Sequence, residues 1–265
     1  MAKYKYRNTM ISSTPFMKFF QMRSFCLFAI LFFLFCSCNK ENAPDFIKST
    51  GPDVLENRVV SNFDDIELND NINLVLVQDT FNWIRIEAGK NLIPKIKTSI
   101  SDNKLTISND NRFNWVRSYN RKITVTLGYK SLKHFMYLGS ANVYTQNTLV
   151  ADSFSFETNN GAGFLHFDVN TKYCAFRIHS GAADLTVTGN TDEVMLYTLG
   201  YAPLQAYGLE ARISSAHNRN IGKINTSVGE ILYATIEGGG NIYYKGNPSF
   251  VNLNKPGTGQ LVKVE

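Results

Sequence analysis

Residues 161–189 read GAGFLHFDVNTKYCAFRIHSGAADLTVTG, and two features of this stretch decide the architecture. Apolar side chains recur at alternate positions, first Leu165, Phe167 and Val169, then Cys174, Phe176 and Ile178. A period of two belongs to strands with one buried face, not to helix. The small-residue opening Gly161-Ala162-Gly163 then returns twenty residues later as Gly181-Ala182-Ala183. Extending outward, comparable units open at Gly139, Gly161, Gly181, Tyr201, Asn220 and Gly238, at intervals of 22, 20, 20, 19 and 18 residues. Each unit starts with small turn residues, runs into a short strand, turns, and enters a second apolar strand.

A strand-only repeat near twenty residues is what a β-solenoid requires, because one coil cannot bury its apolar face alone and must stack on the next. Glycine, alanine and asparagine at each opening permit a tight corner. At about 4.8 Å per coil, eight or so coils would make a rod on the order of 40 Å long. An antiparallel sandwich with regular hairpins is the competing architecture. Upstream, the same two-residue period marks Ile66–Leu68, Asn73–Val77, Ile84–Ile86, Leu105–Ile107 and Ile123–Leu127 as strands. Only Asn91–Ile100 invites a helix, and Pro94 with its β-branched neighbours argues against it.

The N-terminus reads as an address. Residues 25–36, FCLFAILFFLFC, are too few to span a bilayer but fit the apolar segment of a secretory signal, with Lys18 and Arg23 before them. Cys36-Ser37-Cys38 follows. Cys38, preceded by a small residue, matches the cysteine that is lipidated in a bacterial lipoprotein, with translation starting at Met1, Met17 or Met22. The expected plan is a signal over 1–37, a lipid-anchored tether over 38–57 and a β-solenoid over 58–265.

Charge and motif exclude more than they assign. The net charge of +5 over 265 residues arises from Lys3, Lys5, Arg7, Lys18 and Arg23; residues 38–265 hold 22 basic and 22 acidic side chains. A neutral body argues against nucleic acid. His134, His166, His179 and His217 have no metal-ligand spacing, and Cys174 alone remains past the lipidation site, so neither a metal, a cofactor nor an internal disulfide is expected. Asp168 and Asp184 lie at different offsets in neighbouring units, which argues against a carboxylate pair for glycoside chemistry. One constellation stands out: Phe81-Asn82-Trp83-Ile84-Arg85 returns as Phe113-Asn114-Trp115-Val116-Arg117. Alternation would turn Ile84 and Val116 inward and present Trp83, Arg85, Trp115 and Arg117 as a binding patch. Alternatively, the two Trp rings cap the open end of the core.

Phe63-Asp64-Asp65-Ile66, Asn73–Gln78, Lys104–Ile107 and the tail Gly239–Pro248 carry a resemblance to a known family. Over about 59–262 the chain resembles the putative auto-transporter adhesin head domain of bacterial envelope lipoproteins. The resemblance implies a parallel β-helix and brings no catalytic residues; the segment Arg112–Asn120 departs from it as an insertion between strands. The reading is an all-β, right-handed parallel β-helix with coils of about twenty residues, held at the outer membrane of the cell envelope by Cys38. Its expected role is non-catalytic adhesion or binding, with the membrane and a glycan or surface protein as partners. A carbohydrate-active enzyme on the same fold and a passive scaffold are the alternatives.

Overall fold

The computed structural model describes residues 50–111 and 122–265. Strands come first as β1 (Asp53–Val59), β2 (Asp65–Asp70), β3 (Asn73–Gln78) and β4 (Trp83–Gly89). A single 3-10 turn at Ile93–Lys95 leads into β5 (Ile96–Ser101) and β6 (Lys104–Asn109), so Asn91–Ile100 is turn and strand, as Pro94 requires. Next come β7 (Thr124–Tyr129), β8 (His134–Gly139), β9 (Val143–Thr145) and β10 (Leu149–Thr158). The long, bent strands β11 (Gly161–Ile178), β12 (Gly181–Thr198), β13 (Leu204–Asn218) and β14 (Ile224–Ile236) follow, and β15 (Ile242–Lys245), β16 (Phe250–Asn254) and β17 (Leu261–Lys263) complete the order. Strand β1 begins inside the stretch read as tether.

The pairing is that of a β-solenoid. One face stacks β6, β2, β8, β10, β11, β12, β13, β14 and β16, all parallel. A second face stacks β7, β3, β9, β11, β12, β13, β14, β15 and β17, also parallel. Hairpins of a sandwich would pair sequence neighbours antiparallel, and in this stack they do not. From β10 onward a third side closes each coil, with Thr171 opposite Ala151 and Thr191.

Register converts the repeat into columns. On the first face Phe135, Phe156, Phe176, Leu196 and Ala216 lie one above another; on the second, Val143, Leu165, Leu185, Leu204, Ile224 and Ile242 do the same. All are 2% exposed or less. Burial of each large member contributes about 1.5–3 kcal/mol relative to exposure. Between the faces Phe135, Phe154, Phe156, Phe167 and Phe176 interlock, with ring centroids 5.0–6.2 Å apart. Cys174 sits among them, fully buried and free, its thiol pushed up in pKa by that burial.

Coil order in space departs from chain order at the N-terminal end. Strand β2 lies between β6 and β8, and β3 between β7 and β9. The chain therefore makes an inner coil first, then builds the outer one with β6 and β7. Antiparallel strands finish this end, β5 on β6, and β4 on β7 with β1 outermost.

Candidate binding surface

In β4 the alternation falls as the sequence indicates: Ile84 and Ile86 are fully buried, while Arg85 is exposed and Trp83 half-buried on the outer side. Trp83 pairs with Gly128 across the antiparallel ladder, and its ring lies where a side chain on residue 128 would stand; an added Cβ would fall 2.1 Å from Nε1. The indole N–H donates to Asp79 Oδ2 at 2.8 Å, and the Arg85 guanidinium sits 5.6 Å from the ring centre. Trp83 therefore does not plug the core. Trp115 and Arg117 lie outside the described residues, as do Cys38 and the signal.

The end of the core is closed instead by Arg58, a residue the sequence reading placed outside any motif. On β1 it faces inward, bonded to Glu56 Oε1 at 2.7 Å, and donates across the mouth to Ile96 O at 2.7 Å and Thr98 Oγ1 at 3.2 Å on β5. An inward charge on an edge strand ties the two faces together and opposes addition of another strand. The available signal was weak, because Val54, Glu56 and Arg58 form an alternating face without an apolar character.

Hydrogen bonding from Trp83, then from the Thr80 backbone, holds the Asp79 carboxyl below its ordinary pKa. The stability that Asp79 lends is fully present above the unfolded carboxylate pKa and is lost as pH falls through the lower, folded one. Trp83→Phe keeps a ring and deletes the donor. Carboxyl NMR titration of Asp79 should then give a pKa nearer the ordinary carboxylate value, and the variant's stability deficit should be larger at about pH 7 than at about pH 2. An unshifted Asp79 would show that the indole bond does not matter.

A second outer feature joins coils on the first face. Glu157 contacts Arg177 Nη1 at 3.1 Å and His179 Nε2 at 2.9 Å; Glu237 contacts His217 Nε2 at 2.9 Å and Arg219 Nε at 2.7 Å. Tyr197 stands between the two imidazoles, 5.6 and 5.4 Å from their centres. Burial raises Glu157's pKa, but the His179 bond and the nearby positive charges outweigh it, and His217 with Arg219 likewise lowers that of Glu237. These groups satisfy one another, so the row reads as cross-coil bracing. Asp168 is similarly engaged, by Thr148 at 2.5 Å and Thr188 at 3.2 Å, and Asp184 stands opposite Phe164 and not opposite Asp168.

The third feature is a concavity of about 690 Å³ on the side formed by β11 to β15. It arises from a change in coil length. Ala206 pairs with Thr226, but the next pair is Glu210 with Ser227, so Tyr207, Gly208 and Leu209 have no partner on β14. Leu209 turns into the core, 1% exposed, while Tyr207 is left as an overhanging wall. Ser227 Oγ donates to Tyr207 O at 2.7 Å and fixes the overhang, and Lys245 Nζ lies 5.2 Å from the Tyr207 ring centre. Buried Thr171 and Thr191, hydrogen-bonded at 3.0 Å, make the floor with Val228. The falling intervals of the repeat, 20 to 19 to 18, were the only trace of this cleft in the sequence.

The family model described as "Putative auto-transporter adhesin, head GIN domain" matches residues 62–248. The chain belongs to this family. Crystal structures extend the likeness of this adhesin-head domain to almost the whole of other chains. A putative adhesin from Bacteroides fragilis is 23% identical over 80% of this chain and 97% of its own, with a TM-score of 0.75. A putative adhesin from Parabacteroides distasonis is 19% identical over 81% and 98%, with a TM-score of 0.65. A putative lipid binding protein from the same species is 18% identical over 82% and 98%, with a TM-score of 0.63. At such identities these likenesses show the fold. No curated protein matches the adhesin-head chain.

Proposed function

We propose that this adhesin-head protein is a non-catalytic, lipid-anchored envelope module that binds through the side of its solenoid. The cleft beneath Tyr207 carries this reading. It joins a buried floor to exposed polar side chains on a fold whose family, and two of whose structural relatives, are described as putative adhesins. A stack of parallel strands suits such a task, because ladder hydrogen bonds hold the surface without ligand and little order is lost on binding. The phenylalanine-filled interior and the polar cleft favour a polar ligand over an acyl chain. Trp83 and Arg85, with Trp115 and Arg117 of the repeated pentapeptide, belong to the proposal as a second contact surface.

Cys38 anchors the module in this reading, with the stretch between it and β1 as the tether. Several acyl chains together give stable attachment where one is marginal. Metabolic labelling with a palmitate analogue should mark the full chain and leave Cys38→Ala unlabelled; equal labelling would defeat the anchor. Protease treatment of intact cells then distinguishes a body facing outward at the outer membrane from one facing the periplasm. An enzyme on this fold would release reducing ends from a polysaccharide, and turnover in that assay would overturn the non-catalytic reading.

A further inference from the structure

We infer that the cleft beneath Tyr207 is a saccharide subsite that takes a neutral, hydroxyl-rich sugar chain; this rests on the binding-module reading and names its ligand class. The argument begins with which polar groups are already occupied. Elsewhere on the outer surface several carboxylates are committed: Glu157 and Glu237 to arginine and histidine, Asp168 to two threonines. Along one rim of the cleft the side chains are less committed. Asn170, Asn190 and Glu210, stacked in register, and Asp192, two residues past Asn190 on the same rim, are exposed and make no side-chain hydrogen bond among the described residues. Four adjacent polar side chains with free donors and acceptors offer what a sugar ring needs, since each hydroxyl both donates and accepts.

Charge narrows the class. The cleft holds three carboxylates, Asp192, Glu210 and Glu230, against Arg212 and Lys245, and Arg212 is already paired with Glu230 at 3.1 Å. A uronic-acid chain or other polyanion would meet more carboxylates than cations there, since Lys172 beside Asp192 is itself bound to Asp152 and Arg212 to Glu230, whereas a neutral chain meets acceptors suited to its hydroxyls. Tyr207 supplies the aromatic wall. Burial holds its phenol above the ordinary pKa, so the hydroxyl stays protonated, and the Lys245 ammonium lies 5.2 Å from the ring centre. The volume lies within the range of sites for small ligands, and the buried threonine floor is formed in advance.

Isothermal titration of the full chain in detergent with maltohexaose, cellohexaose, mannohexaose and the hexamer of galacturonic acid tests this. At least one neutral hexasaccharide should bind, at least tenfold more tightly than the hexauronate. Tyr207→Ala should weaken that binding at least tenfold. Because the Tyr207 overhang is structural as well, Asp192→Asn and Glu210→Gln, at exposed side chains without a side-chain hydrogen bond among the described residues, provide a second arm, expected to weaken binding at least fivefold with an unchanged melting temperature. Tighter binding of the hexauronate overturns the ligand class. Binding that survives all three cleft variants but is lost in Trp83→Ala overturns the cleft while leaving the binding module intact. Absence of binding by every sugar, with retention of the protein on immobilised surface proteins, overturns the saccharide inference alone; absence of both overturns the reading beneath it.

Discussion

Phe156→Ala should lower stability by about 3–5 kcal/mol, the cost of truncating a large aromatic side chain in a packed core. Phe156 is fully buried, with ring centroids 5.6 Å from Phe135, 5.0 Å from Phe167 and 6.2 Å from Phe176. The cavity cannot close, because β10 is held in register by β8 on one side and β11 on the other. For a domain of this size the loss corresponds to a fall in Tm of roughly 6–20 °C. Phe164→Ala is the matched control: its ring is 69% exposed, and its removal should change stability by no more than about 0.5 kcal/mol. Thermal melts followed by circular dichroism compare the two directly. Equal melting temperatures would mean that the interlocked rings do not hold the coils together.

Gly189→Ala should be comparably damaging, by at least about 3 kcal/mol, although it adds only a methyl group. Gly189 has φ +109°, a conformation L side chains avoid, and a Cβ there would lie 2.0 Å from Val169 O in the coil beneath. The clash is with backbone that itself belongs to the parallel ladder, so relief requires coils to separate. Gly229→Ala on β14, two coils further along, has room, its nearest non-local atom being Ala211 O at 3.8 Å, and should shift stability by no more than about 0.5 kcal/mol. Urea unfolding of both variants gives the comparison. A Gly189→Ala protein as stable as the parent would show that the close approach between coils is absent in solution.

Legibility followed the range over which each feature is encoded. Alternation and the repeat are local, and they were enough to place Leu165, Phe167, Cys174 and Phe176 inward and to align Gly161 with Gly181 one coil above. The two-residue period also turned Ile84 in and Trp83 and Arg85 out. It could not supply Asp79 and Gly128 as the partners of Trp83, because the second is reached only through a ladder between segments more than forty residues apart. Arg58 was missed for the same reason: its acceptors Ile96 and Thr98 come to it across the end of the stack.

What the sequence determined by itself is the solenoid: strands without helices, coils of about twenty residues, and the inward columns that only stacking can bury, since each follows from which side chains alternate and how often the pattern returns. The tertiary structure alone decided where coils sit and how they mismatch. Strand β2 is inserted between β6 and β8, 39 and 69 residues away in the pairs Asp65–Lys104 and Asp65–His134, and no periodicity records which coil closes on which. The cleft likewise exists only as a difference between two coils, three residues of β13 left over where β14 takes a shorter path. A repeat states the rule for one coil, but a binding surface made by stacking depends on how far each coil departs from the one beneath it.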